Sequence, residues 1–235
     1  MADIISNLTL HLPFDGDSLV DLASGLTFTA VNSPAFAAGK IGRAVDFEAS
    51  SSQYLEHTNN AAFQGGNNPF TIAAWIRLES LPSPSGASYQ IFSKDSNVAS
   101  SRDYAFEVYN DAGTRYVRFH FNGGSGLITS PVVTTGMWYH VAVAHDAAAD
   151  LTRLWIDGVP VTPVATGGVS PNNSAAAVRV GARVYSGFIN HFDGVIDDVR
   201  FYKRVLSTDD VLMLVGLPGM PARLSRYTNV LLGVH

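Results

Sequence analysis

One stretch near the C-terminus, Phe192 to Leu206, most constrains the fold. It reads FDGVIDDVRFYKRVL and is followed by STDD. Alternate residues of an extended strand face the same side. Those that share one parity here are Val195, Asp197, Val199 and Phe201. Three of the four are apolar, which predicts that this side faces the core. A carboxylate on that side must be paired, hydrogen-bonded or bound to a metal, because burying it alone costs several kcal/mol.

The overall composition limits the class of protein. A chain of 235 residues is ordinary for a single all-β sandwich. It has no cysteine, which excludes disulfides and cysteine metal sites. A net charge of −5 argues against nucleic acid as a partner. No apolar run is long enough for membrane insertion. We therefore expect one large domain with neither a nucleic-acid nor a membrane partner.

Short segments of alternating polar and apolar residues recur along the chain, separated by turn residues. Strands are predicted at 8–14, 53–57, 70–78, 89–94, 104–109, 116–121, 138–146, 153–156, 159–161 and 178–181. Asp157-Gly158 suits a type I′ hairpin turn. Residues 185–192 are expected to form a loop. One short helix is predicted between a Ser207 cap and Gly216. This pattern predicts an antiparallel β-sandwich.

Several motifs resemble LamG-like jelly rolls of the concanavalin A-like lectin and glucanase superfamily. They are the Phe192–Leu206 stretch, the Gly-Lys-x-Gly segment at 38–47, the Phe-Thr-Ile strand at 70–78 and Trp138–Asp146. His145 departs from the last motif, where an aromatic residue is commoner. The resemblance covers roughly residues 8–215. It implies an all-β, two-sheet antiparallel jelly roll with one short C-terminal helix, over residues 1–216. Residues 217–235 would then form a C-terminal apolar arm.

The resemblance also implies a structural calcium ion. In such families the aspartate of the last strand, here Asp197, often binds Ca²⁺ together with groups from the N-terminal turn. Asp15, Asp17 and backbone carbonyls near Gly42 are the implied partners, since calcium prefers oxygen ligands. The alternative is a buried Asp197 that accepts hydrogen bonds from loop amides. Asp198 has the opposite parity and is expected to be a solvated charge.

Two groups of aromatic and polar residues are candidate ligand sites. Alternation places Tyr116 and His120 on one face of a strand, beside Tyr109 on the neighbouring strand. Such a face could bind sugars, because tyrosine, histidine and arginine offer rings and hydrogen-bond donors. The alternative is a solvated sheet face. Tyr185 and His191, in the expected loop, form the second candidate site, although aromatic residues there could instead fold back onto the core.

No catalytic carboxylate pair is recognisable, so no enzyme activity is expected. Glycoside hydrolysis needs two carboxyl groups about 5–10 Å apart. In the resembling hydrolases they lie on one strand. The glutamates are Glu48, Glu56, Glu79 and Glu107, and no two share a strand at that spacing. The Gln-x-His signature of related alginate lyases is also missing, since residues 90–92 read QIF.

The resulting hypothesis is a non-enzymatic recognition or surface module that binds a glycan or a neighbouring protein. The alternatives are a bacterial glycan-active enzyme or its carbohydrate-binding module, and a purely structural capsid cement. The first residues lack the features of a signal peptide. A virion setting, as a phage capsid decoration or tail adhesin, is therefore preferred, and otherwise an extracellular or cell-surface one reached by another route.

The last nineteen residues are too apolar for a free tail. Their candidate contact residues are Leu224, Tyr227, Val230 and Leu231. We expect this arm to bind a virion protein or a second copy of the chain. The alternative is that it packs on its own sandwich.

Overall fold

Two antiparallel sheets pack face to face around the core in the computed structural model, which describes residues 3–96, 98, 103–121, 125–161, 170–185 and 188–216. In chain order the strands are β1 (Leu8–Leu12), β2 (Thr29–Val31), β3 (Ala35–Ala38), β4 (Arg43–Phe47), β5 (Tyr54–His57), β6 (Phe70–Leu78), β7 (Ser88–Lys94), β8 (Tyr104–Asp111), β9 (Thr114–Phe121), β10 (Ser125–Val132), β11 (Trp138–Asp146), β12 (Leu151–Ile156), β13 (Val159–Pro160), β14 (Val178–Val180), β15 (Ala182–Tyr185), β16 (Phe188–His191) and β17 (Gly194–Tyr202). Three short 3-10 helices span Asp15–Asp17, Ala49–Ser51 and Ala61–Phe63, and one α-helix, α1, spans Thr208–Val215. The predicted all-β sandwich with one short helix is confirmed.

The first sheet has eight strands in the order β13-β12-β11-β6-β17-β4-β3, and β1 also pairs with β17. The second has seven, in the order β10-β9-β8-β7-β14-β5-β2. The hairpin β15-β16 forms a separate two-stranded sheet between β14 and β17 in sequence. Within the described residues, no helix is both long and apolar enough to span a bilayer.

Aromatic rings stack within each sheet and pack between the two sheets, where the rings of Phe70 and Tyr104 lie 5.5 Å apart. Phe70 of β6 stacks on Phe201 of β17 with ring centroids 5.4 Å apart. Phe92 and Tyr104 stack in the opposite sheet at 6.2 Å. The Tyr104 hydroxyl donates to the Phe63 carbonyl oxygen at 2.7 Å, so its polar end is satisfied inside the core. Burying each such side chain contributes roughly 1.5–3 kcal/mol.

His145 takes the place of the aromatic residue that is usual in its motif. It is fully buried, and its ring lies 4.6 Å from that of Phe121. Its Nδ1 lies 3.0 Å from the hydroxyl oxygen of Thr152. Burial lowers the pKa of His145 to about 4, so the ring is neutral at neutral pH and packs as an aromatic residue.

A bulge in β17 corrects the expected facing of the Phe192–Leu206 stretch. The pairing with β6 shifts between Asp197 and Arg200, and Asp198 has a positive φ of 48°. Ile196 lies in the core before the bulge, whereas Val199 and Phe201 lie in it afterwards. An extra residue in one strand reverses the parity. Asp197 therefore contacts a loop on the outer side of the sheet rather than the core.

Helix α1 and a second apolar cluster cover part of the outer face of the eight-stranded sheet. The cluster comprises Ile4, Ala73, Ala142, Ala144, Trp155, Tyr202, Leu206, Val211 and Leu214. The predicted cap is confirmed. The Ser207 hydroxyl oxygen accepts from the Asp210 amide, and the Asp210 carboxylate accepts from the Ser207 amide. Aspartate thus completes a capping box in which glutamate or glutamine is usual. The helix ends at Gly216 with a left-handed conformation.

One further expectation needs correction, three strands were not predicted, and the predicted C-terminal arm is not among the described residues. The loop expected over residues 185–192 is wrong for the described residues of that range, because β15 and β16 pair as strands and Phe192 is buried. Strands β2, β3 and β10 lack clear alternation in the sequence and were not predicted. The arm at 217–235, with Leu224, Tyr227, Val230 and Leu231, lies outside the described residues.

Candidate functional site

Strands β8 and β9 build a polar surface on the outer face of the seven-stranded sheet. Phe106 and Phe119 point into the core, and their neighbours in sequence therefore point outward. The two strands pair so that Tyr109 lies opposite Tyr116 and Glu107 lies opposite Arg118. His120 follows on the same side of β9. The structure thus brings three predicted ligand residues, Tyr109, Tyr116 and His120, to one face.

Glu107 lies at the centre of this face and is fully buried. One of its oxygens accepts from Arg118 Nε at 2.7 Å and from a second guanidinium nitrogen, and the other accepts from Gln90. The His120 Nε2 lies 3.2 Å away. Burial acts to raise the pKa of Glu107, but His120 and Arg118 hold it well below its usual range. The solvated-face alternative does not describe Glu107 or His120, since both are buried.

Arg118 connects the buried carboxylate to an aromatic platform. Its guanidinium carbon lies 3.3 Å from the centroid of the Tyr109 ring. Tyr109 and Tyr116 are both half-buried, so part of each ring is open to solvent. Because two nitrogens of the guanidinium donate to the same Glu107 oxygen, the arginine is held in one geometry against the Tyr109 ring. A planar cation and one aromatic ring are therefore pre-positioned at the surface, next to Tyr116 on the paired strand.

The β15-β16 hairpin adds a wall along this face. Ser93 of β7 donates to the Ala182 carbonyl oxygen at 2.7 Å, and Asn190 donates to the Ser88 hydroxyl oxygen at 3.0 Å. Arg183 Nε donates to an Asp95 carboxylate oxygen at 2.7 Å. Burial raises the pKa of Asp95, and the Arg183 charge opposes that shift.

Arg183 also reaches the central network, since its guanidinium lies 3.2 Å from His120 Nε2. Asp95, Arg183 and Gln90 were not predicted from the sequence. The Asp95–Arg183 contact joins residues 88 positions apart, and no local pattern indicates it. Glu107 and Arg118, in contrast, follow from alternation in adjacent strands.

The second predicted ligand pair, Tyr185 and His191, lies on the same hairpin. The His191 ring packs against Tyr54 of β5 with centroids 5.8 Å apart. Burial lowers the pKa of His191, so its neutral form is favoured. Tyr185 belongs to β15, and its side chain lies outside the described part. His191 therefore lies toward β5, which is separated from β8 by β7 and β14, and not on the β8–β9 face.

Two of the predicted calcium residues, Asp197 and Asp15, each contact one loop on the other sheet, formed by residues 39–43. One oxygen of Asp197 accepts from the Ile41 amide at 2.9 Å. Its second oxygen, Oδ1, is buried and has no hydrogen-bond partner among the described atoms. Burial raises the pKa of Asp197 to about 7. The loop-amide alternative therefore accounts for one carboxylate oxygen and leaves the other unpaired.

Asp15 contacts the same loop, whereas Asp17 does not enter it. Asp15 Oδ1 accepts from the Arg43 amide at 2.9 Å. Gly42 has a positive φ of 53°, which favours glycine, and a Cβ there would displace that same Asp15 oxygen. Asp17 instead pairs with the Arg43 guanidinium at 2.7 Å and is about half exposed. Carboxylates of Asp15 and Asp197, with loop carbonyls, are oxygen ligands of the kind that calcium prefers.

Asp198 corrects the expectation of a solvated charge. It is 5% exposed, and its carboxylate lies 2.7 Å from His11 Nε2 and 3.0 Å from Arg200. Burial acts to raise its pKa, but Arg200 and His11 hold it well below its usual range. The bulge is the cause, because it turns both adjacent aspartates to the outer side of β17.

A further acidic group lies where β4 and β6 end. Ligand oxygens of Asp46, Glu48 and Glu79 all lie within 4.8 Å of one another. Burial raises the pKa of Glu79, and the charge of Asp46 raises it further. Glu48 and Glu79 directly follow two different strands, so the pattern of a carboxylate pair on one strand does not include them.

Comparison with known families agrees with this architecture. The Laminin_G_3 model of the concanavalin A-like lectin/glucanases superfamily matches residues 49–212. The chain belongs to this superfamily. Among curated proteins, none matches the sequence.

Solved structures with this superfamily fold include several binding domains. Domain 4 of AbnA, a GH43 extracellular arabinanase from Geobacillus stearothermophilus in complex with arabinotriose, is 19% identical with a TM-score of 0.69, and the match covers 89% of this chain and 98% of that one. The binding domain of Paraclostridial Mosquitocidal Protein 1 is 15% identical with a TM-score of 0.69, over 91% and 52% of the two chains.

The binding domain of Botulinum Neurotoxin DC in complex with SialylT is 14% identical with a TM-score of 0.65, over 91% and 52%. This chain therefore spans about half the length of the matched toxin domains. At these identities the likeness establishes the fold alone.

Proposed function

We propose that this chain is a non-catalytic carbohydrate-binding module whose glycan lies on the outer face of the seven-stranded sheet. The observation that carries the proposal is the Arg118–Tyr109 platform, fixed from below by the buried Glu107. A rigid charge network under a half-exposed aromatic surface is the arrangement that ligand recognition needs, since little side-chain entropy is lost on binding.

The chemistry of this face suits a saccharide. The C–H side of a sugar ring can lie on Tyr109 and Tyr116, and its hydroxyl groups can accept from Arg118. Asn190 extends the polar surface along the hairpin. Such a mixture of apolar walls and few placed polar groups is typical of ligand sites.

The relatives support the same class of ligand. The arabinanase domain was captured with arabinotriose, and the neurotoxin domain with SialylT. The two toxin structures are binding domains, which supports recognition as the role of this chain. Fold likeness alone does not assign a function, so the proposal rests on the face described above.

Titration with glycans tests the proposal. A glycan array with arabinotriose included would identify the ligand, and calorimetry would give the dissociation constant. Tyr109→Ala and Tyr116→Ala should each weaken binding about tenfold or more, which is at least about 1.4 kcal/mol. Glu107→Gln should also weaken it, because Arg118 loses its charged partner.

Trp138→Ala is the matched control. Trp138 forms a similar aromatic–arginine pair with Arg77, at 5.4 Å, but on the eight-stranded sheet. The Trp138→Ala variant should bind the glycan with unchanged affinity. An array without a hit, or tyrosine variants that bind like the wild type, would contradict the proposal and favour the structural-cement alternative.

We also propose a structural calcium ion at Asp197 and Asp15. The unpaired, buried Asp197 Oδ1 supports it, since a cation would satisfy that atom and favour the ionised carboxylate. The ion would be structural, because this loop lies on the opposite sheet from the tyrosine platform. The virion setting is likewise a proposal, and finding the protein in purified particles would support it.

A further inference from the structure

A cavity of about 390 Å³ opens on the outer face of the eight-stranded sheet, away from the tyrosine platform. It lies between β11, β12 and the segment that leads into α1. Its lining residues are Asp146, Arg153, Trp155, Val205, Leu206, Ser207 and Thr208. None of them belongs to the proposed glycan face or to the calcium loop.

Small residues on the sheet and the position of α1 create this space. Ala144 of β11 pairs with Arg153, and Ala142 pairs with Trp155, so no large side chain on β11 fills the floor there. The Trp155 indole N–H donates to the Thr208 hydroxyl oxygen at 3.1 Å. That bond ties the first residue of α1 to the sheet and fixes one side of the cavity.

The polar groups of the cavity are the Arg153 guanidinium, the Asp146 carboxylate and the hydroxyls of Ser207 and Thr208. Asp146 Oδ1 accepts from the Ala149 amide at 3.0 Å, which holds the carboxylate in place. Arg153 is half-buried and forms no salt bridge with a carboxylate in the described part of the chain. Thr208 accepts from Trp155, so its own hydroxyl hydrogen is available to another acceptor.

The charge balance favours a neutral ligand over an anion. Arg153 and Asp146 carry opposite unit charges. Asp209 and Asp210 lie in the first turn of α1 and offset the positive end of that helix. Val205 adds a partly exposed apolar wall, whereas Leu206 is fully buried in the second apolar cluster.

We infer that this cavity is a second saccharide subsite, which takes one neutral sugar unit. A vicinal diol can accept from Arg153 and donate to Asp146, while the C–H face of the ring lies against Val205. The volume lies at the lower end of the range for small-molecule sites, which suits a single unit rather than a long chain. The inference does not depend on the tyrosine platform.

The Trp155 indole N–H gives a direct readout by two-dimensional ¹H–¹⁵N NMR. The chain has three tryptophans, so Trp75→Phe and Trp138→Phe assign the third indole signal by elimination. The experiment uses the full chain with Tyr109→Ala and Tyr116→Ala, which disables the proposed glycan face. The probes are arabinotriose, xylotriose, maltotriose and cellotriose, with sodium sulfate as an anion probe.

The Trp155 signal should shift saturably with at least one trisaccharide and should not shift with sulfate. Arg153→Met and Asp146→Asn should each raise the dissociation constant at least tenfold, whereas Arg115→Met, a surface arginine on the other sheet, should not change it. No shift with any trisaccharide up to about 50 mM, which would detect millimolar binding, would overturn the inference. A shift that persists in both variants, or one caused by sulfate alone, would also overturn the inference. Because the platform is disabled throughout, failure here leaves the proposed function untouched.

Discussion

Acid should destabilise this fold through His140, a histidine of β11 that is buried as the neutral ring. It is 1% exposed, and its ring meets the edge of Trp75 with centroids 5.2 Å apart. Burial lowers its pKa from 6.5 to about 4; the Asp198 charge opposes this shift and the Arg200 charge adds to it. The unfolded chain therefore binds a proton at this residue before the folded chain does.

The sign and size of the effect follow from that difference. Stability from the neutral ring is fully present above about pH 6.5 and is lost as the pH falls toward 4, because only the unfolded state gains the proton in that window. With those two pKa values the loss is about 2 kcal/mol at pH 5 and about 3 kcal/mol at pH 4. A domain of this size is stable by only about 5–15 kcal/mol, so the effect is measurable.

The variant His140→Phe isolates the contribution of this histidine to the pH dependence of stability. Phenylalanine can keep the edge contact with Trp75, and the His140 backbone amide, which donates to Asp157 at 2.8 Å, is unaffected. Urea unfolding followed by circular dichroism between pH 7.5 and 4 would give the free energy of unfolding for both proteins. The wild type should lose about 2 kcal/mol more than the variant between pH 7.5 and 5. Two profiles separated by a constant amount would refute the reasoning. His145→Phe should act in the same direction, since burial also lowers that pKa to about 4.

Two further predictions concern calcium and the C-terminal arm. Calcium at about 100 times its dissociation constant should stabilise the fold by roughly 2.7 kcal/mol and chelator should reverse this. Asp197→Asn should abolish the response, and Asp17→Asn, at the exposed pair, should keep it. Identical melting with and without chelator would exclude the ion. Deleting 217–235 should leave a folded domain with near-native melting but without assembly, whereas a truncated monomer that aggregates or melts much lower would show that the arm packs on its own sandwich.

Periodicity was sufficient to predict the core strands, because each buries one face. In β6 and β11 the alternation is regular and the observed bounds match the prediction within a residue. The motif around Phe192–Leu206 identified the superfamily. Strands that lie at a sheet edge or carry small and polar residues, such as β2, β3 and β10, gave no such signal.

The bulge in β17 marks where local patterns fail. The run Val195, Asp197, Val199 predicts one continuous face, yet an extra residue at Asp198 reverses the facing half-way along the strand. Nothing in the local pattern distinguishes a regular strand from a bulged one. The same problem affects Leu8, where a register shift moves the side chain to the second apolar cluster.

The site was predictable only where it depends on neighbouring strands. Tyr109, Tyr116 and His120 share a face because alternation and a hairpin turn bring them together. Arg183 and Asp95 reach that face through the β15-β16 hairpin, and their contact is a property of the tertiary fold. The cavity that Arg153 lines depends in the same way on the position of α1 over the eight-stranded sheet.

The buried charges on the seven-stranded sheet give a physical reason to place function there. A buried ion pair gains little over well-packed apolar residues of the same volume, since desolvation offsets most of the attraction. Glu107, Arg118 and His120, joined to Arg183, are therefore poorly explained as a source of stability. What such a network does provide is a fixed position for each side chain. On a face that also carries two half-exposed tyrosines, fixed donors are what distinguish a binding surface from a sheet face that only needs to be soluble.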